Sequence, residues 1–170
     1  MSTFLKEFKF EKSPRKITYI EEEPLKLSNE FVFFHNKSKF RNEITRLQYL
    51  IKSYTKIALQ AAGIRDSYLK KEYFDNFLIV LFTTQEIVKK TNEIIEEFSE
   101  KELNPGCYSL KVTSDFMLLI SRDMEGLTFG INAMEVILRQ VLDDYLNQNR
   151  FDDYIKICPF ILLNCRSSSV

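Results

Sequence analysis

The segment Gly106-Cys107-Tyr108-Ser109-Leu110-Lys111-Val112-Thr113, then Phe116-Met117-Leu118-Leu119-Ile120-Ser121, then Glu125-Gly126-Leu127-Thr128-Phe129-Gly130 carries the fold. Its first two pieces are short strand patterns joined by the turn residues Ser114 and Asp115, which predicts a β-hairpin. From Leu127 onward the apolar positions are Ile131, Met134, Ile137, Leu138, Val141, Leu142 and Tyr145. That spacing is one face of a helix of roughly five turns at about 3.6 residues per turn. Asp123 stands where a capping residue is wanted. Glycine costs a helix interior up to about 1 kcal/mol relative to alanine. Gly126 and Gly130, four apart on one face, therefore predict either a close approach by another backbone or two tolerated glycines near a frayed start.

Upstream, Phe77 to Phe82 is an unbroken apolar run rich in strand formers and reads as a central strand. Thr83 and Glu86 form a capping box that predicts a helix over 85–99, with Ile87, Ile94, Ile95 and Phe98 on its apolar side. Ile44, Leu47, Leu50, Ile51, Tyr54, Ile57, Ala58 and Ala61 fall at three- and four-residue steps, predicting a helix near 41–61 that Gly63 closes. Glu30 to Phe34 is apolar on both faces and reads as a buried strand. His35 at its end has no acid or serine partner identifiable in the sequence, so it reads as structural or solvated. Ile17 to Ile20 predicts another strand, with Glu21-Glu22-Glu23 and Pro24 as a solvated exit. Residues 1–16 alternate Phe4, Phe8 and Phe10 with charges before Ser13-Pro14, which suits a short strand, an extra helical turn or a flexible arm.

The chain has 170 residues, 45% hydrophobic and 14% aromatic, which suits one globular domain with a real core. Lys+Arg and Asp+Glu both number 24, and no concentrated basic face is visible, so nucleic acid is not an expected partner. No apolar run approaches the roughly 20 residues that a membrane helix needs. Met1 to Lys16 lacks the apolar core of a secretory signal, and a cytoplasmic location is expected. Cys107, Cys158 and Cys165 match no zinc spacing and read as buried free thiols; no metal or cofactor is expected.

The pattern Tyr-x-Leu-x-Val, a turn, a short apolar strand and Glu-Gly-Leu-x-Phe-Gly opening an apolar helix resembles the non-catalytic N-terminal domain of β-N-acetylhexosaminidases. These are glycoside hydrolase family 20, and similar domains precede the related family 84 barrels. Tyr108, Leu110, Gly126, Leu127, Phe129 and Gly130 carry the resemblance, whereas the helix at 85–99 departs from the family pattern. The family implies that Pro159 and Leu162 to Arg166 stand at the junction with the first strand of a catalytic barrel. Arg166 would then contact the sugar hydroxyls of a terminal hexosamine, through a planar, permanently charged donor fork. In the alternative register Asn164 stands for the strand-end Asp of the family, the arginine position is Ser167, and the contact is missing.

No adjacent Asp-Glu pair of the kind used in substrate-assisted hexosaminidase catalysis occurs in the chain. Asp143-Asp144, Asp152-Asp153 and Glu96-Glu97 are sequence neighbours that point in different directions and read as solvated surface. Phosphate-loop, nucleophile-elbow and zinc-protease motifs are also missing. No catalytic residue is therefore assigned.

The expected fold is α+β, a mixed sheet of about five strands with helices near 41–61, 85–99 and 125–146 mainly on one face. The expected organisation is an N-terminal arm at 1–16, the domain proper at 17–153, and a linker with the start of a first barrel strand at 154–170. The function this implies is a non-catalytic structural domain supporting a downstream catalytic barrel. Its expected partners are that barrel and a second copy of the chain paired through the C-terminal apolar segment. A stand-alone interaction or scaffold domain is the alternative.

Overall fold

The computed structural model describes residues 4–27, 30–35, 41–56, 58–63, 78–82, 104–121, 123–147 and 155–165. The fold is α+β. Its strands are β1 (Lys16–Tyr19), β2 (Leu25–Leu27), β3 (Val32–His35), β4 (Gln60–Gly63), β5 (Leu78–Phe82), β6 (Cys107–Val112), β7 (Met117–Ser121), β8 (Ile155–Ile157) and β9 (Phe160–Cys165). The described helices are α1 (Arg41–Thr55) and α2 (Met124–Asn147).

Seven strands form one mixed sheet in the order β1-β9-β6-β7-β5-β3-β4, while β2 and β8 make a separate two-stranded ribbon. The half β1-β9-β6-β7 is antiparallel. The half β7-β5-β3-β4 is parallel. Parallel neighbours need a crossover, and α1 supplies the one between β3 and β4.

The hairpin of β6 and β7 turns at Thr113 to Phe116, where the Thr113 amide donates to the Phe116 carbonyl at 2.9 Å. The Thr113 hydroxyl also accepts from the amides of Asp115 and Phe116. Along β6, Tyr108, Leu110 and Val112 join Met117 and Leu119 of β7 in the core under the helices. Leu118 and Ile120 alternate to the other face of the sheet and are buried as well. The period-2 pattern thus holds, but β7 has no solvated face.

On α2, Leu127, Ile131, Met134, Ile137, Leu138, Val141 and Leu142 are buried, matching the expected stripe. On α1 the buried side chains are Ile44, Leu47, Leu50 and Ile51. Both helices share one core cluster with Phe33, Phe160 and Leu162, so they lie on the same side of the sheet. Each of these side chains contributes about 1.5–3 kcal/mol when fully buried, which is what docks the helices.

Three expectations are corrected here. First, α1 ends at Thr55 instead of continuing to residue 61. Lys56 takes a left-handed φ of 63°, and its amide donates to the Lys52 carbonyl at 2.7 Å. The Gln48 side chain then holds the Leu59 carbonyl at 2.6 Å, and residues 60–63 pair with β3. Ala58 and Ala61 fit helical spacing by count alone, and Gly63 belongs to a strand. Second, the sheet has seven strands, not about five. Leu25-Lys26-Leu27 and Ile155-Lys156-Ile157 share one buried-outward-buried pattern and pair with each other, a ribbon too short to be legible before its partner is known.

Third, Phe160–Cys165, which the family resemblance places at the start of a barrel strand, lies in the sheet of the domain itself. It pairs with β1 on one side and β6 on the other, inside the domain's own sheet. Phe160 and Leu162 are fully buried there. With both edges paired, this segment is an interior strand and presents no free edge. The predicted capping box at Thr83, the helix at 85–99, Ile57 and the Glu96-Glu97 and Asp152-Asp153 pairs lie outside the described residues.

Candidate functional site

The residues singled out in the sequence converge where the hairpin enters α2. Asp123 caps the helix: its carboxylate accepts from the Gly126 amide at 2.7 Å and, on the other oxygen, from the Gly106 amide at 2.9 Å. One carboxylate therefore ties the turn before β6 to the first turn of α2, and its charge suits the positive end of the helix. The buried Ser121 hydroxyl donates to the Cys107 carbonyl at 2.7 Å.

Gly126 faces this knot. A methyl group added to it would collide with the Ser121 hydroxyl and the Cys107 carbonyl oxygen, so the predicted close approach of another backbone is found here. At Gly130 the neighbours are side chains instead: an added Cβ would meet Leu119 Cδ1 at 2.5 Å and the Tyr108 ring at 3.0 Å. Phe129 packs edge-on against Tyr108, with centroids 5.4 Å apart and planes at 90°. Leu110 and Leu127 lie in the core. All six motif residues are thus explained by packing, and the junction is filled by its own atoms.

The cysteines depart from expectation. Cys107 and Cys165 are register partners at the ends of β6 and β9 and form a disulfide across 58 residues of sequence. Reading them as free thiols failed because their pairing depends on which strand lies beside β6. Cys158 is the free thiol, and it is buried.

Asn164 is also accounted for within the domain. It faces Tyr108 across the β6 and β9 ladder, is hydrogen-bonded to the Tyr108 hydroxyl, and accepts from the Arg15 amide at 3.1 Å. Its amide is engaged within the domain. Arg166 lies outside the described residues. His35 is buried at the end of β3, as a structural histidine would be.

On the outer helical surface Glu135 is paired with Arg46 at 3.0 Å and with Arg139 at 3.1 Å, and Arg46 also reaches Asn132 at 2.8 Å. Asp143 accepts from the Tyr54 hydroxyl at 2.6 Å, and this bond leads the causes that hold the Tyr54 pKa above its ordinary range. Such exposed pairs orient the two helices but stabilise each contact by only about 0–1 kcal/mol. Among the described residues, no three His, Cys, Asp or Glu side chains gather in a way that could hold a metal ion. No described helix is long and apolar enough to cross a membrane.

Burial pushes the Cys158 thiol from an ordinary 9.0 up to about 11, and the Tyr108 hydroxyl from 10.0 up to about 12 against the opposing pull of Asn164. The folded chain holds both protons more tightly than the unfolded chain. This stabilisation is complete below pH 9 and is lost as pH rises through the folded-state values. With solvent screening from the open cavity beside it, the Cys158 share is on the order of 1–2 kcal/mol. The melting temperature should therefore fall between pH 9 and 11, and Cys158→Ala should flatten the first part of that fall; an unchanged slope in the variant would assign the effect elsewhere.

No protein-family model matches the chain, and no curated protein matches it by sequence. Solved structures share its fold. CpGH84D superposes with a TM-score of 0.60 at 10% identity, over 94% of this chain and 24% of its own. The Streptomyces plicatus N-acetyl-β-hexosaminidase gives a TM-score of 0.57 at 11% identity, over 91% of this chain and 26% of its own. The Vibrio harveyi GH20 exo-β-N-acetylglucosaminidase gives 0.55 at 10% identity, over 89% and 18%. This chain spans about a quarter or less of the length of these proteins, and it shares its fold with that part of GH20 and GH84 enzymes.

Proposed function

We propose that the chain is the non-catalytic N-terminal structural domain of a β-N-acetylhexosaminidase-like glycoside hydrolase and supports a catalytic barrel. The observation that carries this reading is the superposition of about nine-tenths of the chain on an accessory-sized part of such enzymes. Two features of the molecule support it. The motif residues are consumed in packing. In addition, among the described residues the large apolar side chains that are exposed are, apart from Tyr19, on the two described helices: Tyr49, Met124, Val136 and Leu146. Exposed apolar side chains of this size suit burial against a second domain.

The disulfide changes the expected location. Disulfides persist in oxidising compartments and are rare in the reducing cytosol, so the domain works outside the cytoplasm in this reading.

The test is to mix the purified chain with any barrel polypeptide encoded downstream of it and assay a chromogenic β-N-acetylglucosaminide. The chain alone should give no turnover, and mixing should raise the melting temperature and activity of the barrel. Absence of both interaction and stabilisation would leave shared architecture only, and a stand-alone interaction domain would become the better reading.

A further inference from the structure

Residues 4–10 are no free arm. They form no strand of either sheet, yet Phe8 is buried and Phe4, Leu5 and Phe10 pack against the core. Phe8 lies edge-on to Phe160, with centroids 5.3 Å apart and planes at 70°, and its ring is 6.3 Å from that of Tyr19. The Phe8 amide donates to the Tyr19 hydroxyl at 3.0 Å. At the next residue, the Gln140 side chain on α2 reads both main-chain groups: its Oε1 accepts from the Lys9 amide, and its Nε2 donates to the Lys9 carbonyl, each at 2.8 Å. Beside the segment, Phe4, Lys6, Tyr19, Glu22, Cys158 and Pro159 line an open cavity of about 530 Å³.

These contacts have the logic of peptide recognition. A carboxamide that satisfies one residue's N–H and C=O together imitates a neighbouring strand and is indifferent to that residue's side chain. The aromatic slot supplies the selectivity, and the acidic run Glu21 to Glu23 along the cavity favours a basic residue there, as Lys6 is. The exposed connector at Glu11 to Ser13 is all that joins the segment to Pro14 and β1.

We propose that Gln140, Tyr19 and Phe160 form a groove for an extended peptide with a phenylalanine anchor and a nearby lysine, and that residues 4–10 are its resident, exchangeable occupant. This inference does not depend on the proposed function.

The experiment uses the full chain with a specific protease site inserted after Lys12. Once cleaved, the strap should remain associated and should exchange with a fluorescent peptide of residues 4–12, followed by anisotropy. A peptide carrying Phe8→Ala should bind at least about ten-fold more weakly, since the anchor's buried area is lost. In the cleaved protein, Gln140→Ala should weaken the unaltered peptide by about five-fold or more, through loss of two hydrogen bonds. Failure of the labelled peptide to bind, equal binding of the Phe8→Ala peptide, or unfolding on cleavage would each overturn the proposal, the last by showing that the segment is integral. In the uncut chain, amide exchange at Phe8 and Lys9 as fast as at Glu11 would overturn it independently.

Discussion

Gly126→Ala is expected to cost about 3 kcal/mol and to lower the melting temperature by roughly 6–12 °C. The helix itself would gain up to about 1 kcal/mol from alanine, so a destabilised variant requires a steric opponent. That opponent is the Cys107 carbonyl and the Ser121 hydroxyl, which are bonded to each other and cannot turn aside separately. Moving α2 outward would strain the Asp123 bonds to Gly126 and Gly106. Gly130→Ala is the internal control. Its nearest obstacle is the end of the Leu119 side chain, which can rotate, so a cost of about 1 kcal/mol is expected. Thermal melts of both variants decide the matter: equal losses, or a neutral Gly126→Ala, would mean that the junction is looser than the contacts describe.

The second large effect is that of the disulfide. Removing it through Cys107→Ala with Cys165→Ala should cost about 4 kcal/mol on the loop-entropy scale for its 58-residue separation, or roughly 8–16 °C. The penalty arises in the unfolded chain, which regains the freedom of a long loop. It also acts locally, because the bridge fastens β9 to β6 beside the α2 cap. Reductant added to the unaltered chain should reproduce the shift, while the double variant should be insensitive to it. A chain that melts identically with and without reductant would lack the bridge in solution, and the oxidising compartment proposed for it would lose its basis.

How far the sequence reached depends on the distance over which each element is decided. Strand alternation from Tyr108 to Val112, the apolar stripe of α2 and the Asp123 cap are properties of neighbouring residues, and all appear in the structure as the sequence alone determined them. The α+β class follows from those elements, whereas the spacing of Gly126 and Gly130 left two readings open and the contacts of Gly126 with Cys107 and Ser121 decided for a close approach. The end of α1 was decided by competition: residues 60–63 gain a parallel partner in β3 that a longer helix would forgo.

What only the tertiary structure decided is every pairing between distant segments. Phe160 to Cys165 has the composition of any buried strand; its place between β1 and β6, and with it the Cys107 bridge and the use of Asn164, exists only once the sheet is assembled. The docking of Phe8 on Phe160 and the clasp of Gln140 on Lys9, the latter across 131 residues, join distant segments, which no local period can signal. Hydrophobic spacing records which face of an element is buried, whereas partner choice depends on the geometry of the whole sheet.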